Sequence, residues 1–191
     1  ESVKLLASTY AQLVEGQTKE VQFSFDTNHG TDDYLKIIEG KTASLIKTSA
    51  KLGAMASGCK QETISSISKW AWHSGIIFQI TDDILDLSSD EKTLGKPSGN
   101  DIIEGTYTLP VLIALEKYPE KINKILSDVS ENKVGVNEVI NEFNNDEIIS
   151  ESKLFLKTHL EKSESAAKEI DNKTVRNILL DINTYLIERS N

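Results

Sequence analysis

The run FQITDDILDL, residues 78–87, sets three carboxylates, Asp82, Asp83 and Asp86, among isoleucine, leucine and phenylalanine. Charges in such company are costly to bury unless something pairs with them. On a helical wheel of about 100° per residue, the three aspartates fall within about 60° of Gln79. Gly75, Trp72 and Ser68 share that stripe, and Ile77, Phe78, Ile80, Ile84, Leu85 and Leu87 fill the opposite arc. Asp82 and Asp86 stand one helical turn apart, roughly 6 Å between their β-carbons. Two carboxylates that close repel, so a cation between them is stabilising. Hard oxygen donors suit Mg²⁺, which keeps waters and completes its shell with substrate phosphates. The plain alternative is the solvated polar face of an amphipathic helix, and spacing alone does not separate the two.

Two further features bear on that choice. In IIEGKTASLIKTSAKLGAMASG, the stripe Ile38, Leu45, Leu52 and Ala56 reads as a buried face, with Lys41 and Thr42 on it. A lysine there needs an anion or must snorkel to water. The loop DEKTLGKPSGND, residues 90–101, has glycines that permit close backbone approach. Its Lys96 offers a compact positive charge suited to phosphate. Each feature alone is compatible with an ordinary surface. Together they make one coherent site, with carboxylates for metal, lysines for phosphate and apolar walls for a hydrocarbon chain.

The elements that must position these residues are helices. Leu5, Leu6, Tyr10, Leu13, Val14 and Val21 recur at helical spacings over residues 1 to about 24. Residues 23–30 read as a loop. Thr31 or Asp32 is expected to cap a helix running to about Gly58, and a long helix follows from Glu62 to about Leu87. Residues 88–105 read as a polar loop. A shorter helix is expected over residues 108–117, with Pro110 tolerated in its first turn and Pro119 as its stop. Three or four amphipathic helices are expected over residues 120–190. The fold class is all-α. The 191 residues, 38% hydrophobic and 27% charged, fit one domain with one sizeable core. A net charge of −9 argues against a nucleic-acid partner. No apolar run is long enough to span a membrane, and there is no secretory start. The single cysteine, Cys59, cannot form an internal disulfide, which fits a cytoplasmic location. It is expected to be a small buried hydrophobe. The chain opens mid-helix, and a further N-terminal part is expected.

FQITDDILDL followed by TLGKPSGNDIIEGTYTLPVLIAL resembles the second aspartate-rich region of the trans-isoprenyl (polyprenyl) diphosphate synthases. GKTASL, and VEGQ at residues 14–17, resemble the same family in the same order. These landmarks cover residues 14–115. SSDEKTLGKPSG is most similar to long-chain bacterial members of the heptaprenyl diphosphate synthase type. The tail from Tyr118 onward carries no motif of its own.

The resemblance implies the C-terminal part of an isoprenoid-synthase-type helical bundle, and an enzyme that adds isopentenyl diphosphate units to an allylic diphosphate. By it, Asp82, Asp83 and Asp86 hold Mg²⁺, with Asp82 and Asp86 the better placed. Lys41 and Lys96 bind diphosphate. Thr42 and Gln79 lie near the developing allylic carbocation. It also implies a homodimer, or a heterodimer with a small subunit, and peripheral membrane contact for product release. Such an enzyme needs a first aspartate-rich motif and nearby arginines, which this sequence lacks. On that ground the 191 residues alone are expected to be catalytically incompetent. Two other functions stay open: a regulatory subunit that keeps the fold without the chemistry, and a terpene cyclase. GKTASL and LGKPSGND argue against the cyclase.

Overall fold

The computed structural model describes residues 1–88 and 98–189, and every regular element in them is helical. Helix α1 spans Ser2–Gln22. Helix α2, Thr31–Ile38, runs through a π-helical turn, Glu39–Ala43, into α3, Ser44–Ala56. Helix α4 spans Gln61–Ser88. A one-turn helix α5, Asn100–Ile103, precedes α6, Leu109–Lys117, and α7, Pro119–Ser130. Then come α8, Val136–Val139, with a 3₁₀ turn at Ile140–Glu142, and the long helices α9, Asp146–Lys168, and α10, Lys173–Glu188.

Helix α4 is the axis of the bundle. Its Ile76, Ile77, Ile80, Ile84 and Leu87 are all buried. They meet α6, whose residues from Leu109 to Leu115 are buried on every side. A helix that is apolar all round belongs in the core. Ile148 and Leu156 of α9 and Ile122, Leu126 and Val129 of α7 close the same cluster. Two asparagines start the C-terminal pair of helices. Asn145 Oδ1 accepts from the Ile148 amide at 3.1 Å, and Asn172 Oδ1 accepts from the Val175 amide at 3.1 Å, each satisfying an otherwise orphaned donor.

The expected helix from residue 31 to residue 58 is interrupted, and the interruption reassigns its faces. Gly30, not Thr31 or Asp32, stands at the N-cap. A π turn holds one extra residue, so everything after it rotates by about 100° relative to a continuous α-helix. Leu45 is 47% exposed, and Ala56 is also exposed. Ile38, ahead of the turn, is buried as expected, but beyond it Ala43, Ser44, Thr48 and Ala54 are buried in place of Leu45 and Ala56. Close approach explains where the turn sits. A β-carbon on Gly16 would lie 2.6 Å from the Lys41 amide nitrogen, and one on Gly75 would lie 2.7 Å from the Ala43 α-carbon. Helices α1 and α4 therefore press on the π turn from two sides, and only glycine fits at either crossing.

Three other expectations are corrected. Pro119 does not merely stop α6, because it also opens α7, where its missing amide costs nothing. The loop at residues 88–105 contains α5 in its described part. Cys59 is free but only half-buried.

Helix α10 lies parallel to α4 and is pinned to it at two levels. Trp70 Nε1 donates to the Leu179 carbonyl at 3.2 Å, and Ser74 Oγ donates to Asn183 Oδ1 at 2.8 Å. Among the described residues, no helix is long and apolar enough to cross a membrane.

Candidate active site

Three of the predicted residues are linked between the C-terminal half of α4 and the π turn. Thr42 Oγ1 donates to Gln79 Oε1 at 2.8 Å. Gln79 Nε2 donates to Asp83 Oδ1 at 2.9 Å. The other Asp83 oxygen accepts from the Tyr34 hydroxyl at 2.5 Å. The result is a hydrogen-bonded chain, Thr42–Gln79–Asp83–Tyr34, that ties α4 to the π turn and to α2. Asp83 is only 3% exposed. Burial pushes its carboxyl up to about 7, against the lowering effect of the Tyr34 and Gln79 bonds. Burial first, and Asp83 second, also hold the Tyr34 phenol well above its ordinary value, so Tyr34 remains the donor.

The three aspartates therefore do not stand alike. Asp83 points into protein and has a partner on each oxygen. Asp82 and Asp86 are partly open to solvent. Burial raises the Asp82 carboxyl, and Arg189 opposes that rise. Asp82 Oδ1 accepts from Arg189 Nη2 at 2.9 Å. The Asp86 carbonyl accepts from the Gly99 amide at 3.0 Å, which anchors α5 beside the stripe.

That anchor brings in a fourth carboxylate, to which the sequence reading assigned no role. Asp101 is raised to about 6, by burial first and then by Asp86, Glu104 and Glu20, while Lys41 pulls the other way. A second tether fixes this loop from behind, where the Phe25 amide donates to the Gly105 carbonyl at 2.9 Å.

Lys41 is exposed and not on a buried face as expected, yet it is paired with an anion. Its Nζ lies 2.6 and 2.7 Å from the two carboxylate oxygens of Glu20. Glu20 reaches it from the last turn of α1. Lys41, Gln79, Asp83, Tyr34 and Asp101 surround a cavity of about 170 Å³ floored by Ile37 and Ile38. Lys96, the second predicted diphosphate ligand, lies outside the described residues. Glu20, Tyr34, Asp101 and Arg189 are the members that sequence reasoning missed.

The donor set fits a hard divalent cation. Asp82 and Asp86 offer oxygen at one-turn spacing, and Asp82 already holds a cationic group. No cluster of three or more metal-ligating side chains forms among the described residues. A cation held by Asp82 and Asp86 would thus keep places for water or for phosphate oxygens, as Mg²⁺ does.

The family model described as Polyprenyl synthetase matches residues 1–144. The chain belongs to the polyprenyl synthetase family. Over 186 residues it is 30% identical to "Heptaprenyl diphosphate synthase component 2" of Bacillus subtilis, covering 97% of this chain and 53% of that one. Over 117 residues it is 40% identical to "Nonaprenyl diphosphate synthase" of Mycobacterium tuberculosis, covering 61% of this chain and 35% of that one. The crystal structure of heptaprenyl diphosphate synthase from Staphylococcus aureus superposes with a TM-score of 0.90 at 29% identity, over 100% of this chain and 60% of that chain. The chain thus spans about half the length of the polyprenyl synthetases it matches. The superposition includes α9 and α10, so the tail without motifs is part of the family's bundle, and Arg189 with it.

Proposed function

We propose that this polyprenyl synthetase chain serves prenyl transfer, extending an allylic diphosphate with isopentenyl diphosphate units to make a long-chain product. The observation that carries the proposal is the division of labour on α4. Two carboxylates, Asp82 and Asp86, stand partly exposed to solvent at metal spacing, while a third, Asp83, is locked inward and holds Gln79 and Tyr34 in place. A solvated polar face would not bury one aspartate and wire it to two other helical segments.

The chemistry follows from these positions. Asp82 and Asp86 would hold the cation, Mg²⁺ in this reading, and Lys41 would bind the diphosphate; the family resemblance gives Lys96 the same role. Bound Mg²⁺ supplies Lewis acidity to the departing diphosphate. The allylic C–O bond breaks, and its electron pair leaves with that group. Donation from Thr42 to Gln79 Oε1 turns the Thr42 proton away, which leaves its lone pairs for the allylic cation. The isopentenyl double bond then forms the new C–C bond, and the resulting cation gives up a proton to the released diphosphate. The buried faces of α4 and α6 keep water from trapping the cation. Glu20 occupies Lys41 until a diphosphate arrives, and Asp101 adds negative charge beside the cation.

The site so assembled is one wall. The remaining carboxylates and the isopentenyl diphosphate pocket come from residues outside this chain, so these 191 residues act as the C-terminal part of one synthase domain. The "component 2" in the names of the Bacillus subtilis and Geobacillus stearothermophilus relatives supports an assembly of more than one kind of subunit. The test is transfer of radiolabelled isopentenyl diphosphate onto an allylic diphosphate by the protein purified from its complete gene. Mg²⁺-dependent growth of a labelled polyprenyl product is expected. Failure to elongate any allylic diphosphate at saturating Mg²⁺ would leave only a binding role.

A further inference from the structure

The Asp82 carboxylate is already paired with a cation, and the fold delivers that cation by design of register. Arg189 Nη2 donates to Asp82 Oδ1 at 2.9 Å. Its guanidinium carbon lies 5.5 Å from the centroid of the Phe78 ring, one turn before Asp82 on α4. Helix α10 runs parallel to α4 and is pinned to it at Trp70 with Leu179 and at Ser74 with Asn183. From Ser74 to Asp82 is eight residues, about 12 Å of helix, and from Asn183 to Arg189 is six, about 9 Å. The length of an arginine side chain closes the difference. The sequence contains two arginines, and Arg176 is engaged with the Ile170 carbonyl at 2.9 and 2.7 Å.

Resting on the reading of Asp82 as a metal ligand, we propose that Arg189 is a built-in counter-ion that competes with the divalent cation for Asp82. A guanidinium bonded to Oδ1 and a divalent cation cannot both sit there, since their like charges repel. The pair is also open enough to be displaced, with side-chain exposures of 33% for Arg189 and 36% for Asp82. Ion pairs of that exposure are weak. Arg189 therefore neutralises the acidic stripe while no cation is bound, and it sets the cation concentration at which the site loads. It is a positioning residue acting through Asp82.

The test is a Mn²⁺ titration followed by electron paramagnetic resonance on the complete protein, without substrate. Arg189→Gln is expected to tighten Mn²⁺ binding by about threefold to tenfold, the range a half-exposed ion pair can supply. Arg189→Lys keeps the charge and is expected to stay within about twofold of the wild type, which also shows that the tail still folds. Lys173→Gln removes a charge from the exposed first turn of the same helix and is expected to change nothing. If Asp82→Asn weakens Mn²⁺ binding while Arg189→Gln leaves it unchanged, the metal reading survives and the competitor is overturned. Equal tightening by Arg189→Gln and Lys173→Gln also overturns it, in favour of a general effect of charge. If Asp82→Asn leaves Mn²⁺ binding intact, or the wild type binds none, the reading of Asp82 fails and takes the inference with it.

Discussion

Helix α4 carries two polar faces that could hardly differ more. Toward α9 and α10 it presents Ser74 and His73. Ser74 joins Ser163 and Asn183 in a buried cluster, in which Ser163 also donates to the Trp70 carbonyl. The Nδ1 atoms of His73 and His159 lie 3.1 Å apart. Every member is neutral, and nearly every polar atom there has a protein partner. Toward α2 and the chain's C-terminus it presents Gln79 and the three aspartates, where charge accumulates and only Asp83 is buried from solvent. A closed neutral network sets helix register, because each missing partner would cost its desolvation. A charged stripe left partly open gains nothing for the fold and is intelligible only if something else binds it. Asp83 shows the boundary between the two, since it shares the stripe with Asp82 but is wired like the closed face.

The largest effect should come from breaking the open face. Replacing Asp82 and Asp86 together by Ala in the complete protein is expected to lower prenyl transfer by at least about 100-fold, the scale of losing preorganised charge stabilisation. Unfolding free energy should stay within about 1 kcal/mol of wild type, since exposed like charges contribute little. Rate assays and urea unfolding on one preparation check both halves. The closed face should behave in the opposite way. Asn183→Ala leaves Ser74 and Ser163 short of a partner and is expected to cost about 1–3 kcal/mol in urea unfolding, while Mn²⁺ affinity holds.

A third prediction uses pH. Burial first, then His73 and Lys162, hold the His159 imidazole down at about 4, against an ordinary 6.5. Between those values the unfolded chain binds more protons at this position than the folded one, so His159 takes stability away as pH drops through that window, while Asp83 and Asp101, whose carboxyls are raised, act the other way. The share of His159 is expected to reach about 1–2 kcal/mol by about pH 4.5. It is read as the difference in urea stability between His159→Gln and the wild type, which should move in favour of the variant by that amount as pH falls from about 6.5 to about 4.5. The smallest prediction sharpens the rule of closure. Thr81 is fully buried, and its hydroxyl has no partner among the described residues. Thr81→Val is expected to be neutral or stabilising by up to about 1 kcal/mol in thermal melts, and a clear loss would mean that the hydroxyl is satisfied after all.

What could be read from the sequence followed its range. The aspartate stripe, the breadth of the apolar face of α4 and the all-α class are properties of one helix or of composition, and the periodicity carries them. Lys41 and Thr42 stood out by their place on the helix wheel, and the family resemblance supplied the roles of Lys41, Thr42 and Gln79. The partners did not. Tyr34 is 49 residues from Asp83, Glu20 is 21 from Lys41, and Arg189 is 107 from Asp82. Each looks like an ordinary residue of an amphipathic helix, and only the bundle brings it to the site. The π turn escaped for a different reason. A wheel drawn through residues 31–58 assumes a constant 100°, so one inserted residue moved the buried face from Leu45 to Ala43, Ser44 and Thr48. The one signal was the small pair Gly16 and Gly40, which makes sense only once their backbones are known to touch, a β-carbon on Gly40 lying 3.1 Å from the Gly16 α-carbon.

The central claim is that the open carboxylates serve the metal and the closed one serves the helix. The Mg²⁺ dependence of labelled isopentenyl transfer, measured side by side for Asp82→Asn and Asp83→Asn in the complete protein, tests it most directly. Asp82→Asn is expected to raise the Mg²⁺ concentration at half-maximal rate by more than about tenfold, one ligand's share of the binding. Asp83→Asn is expected to keep the wild-type Mg²⁺ requirement and lose only turnover. If Asp83→Asn instead shifts the Mg²⁺ requirement while Asp82→Asn does not, the assignment of the two faces is wrong.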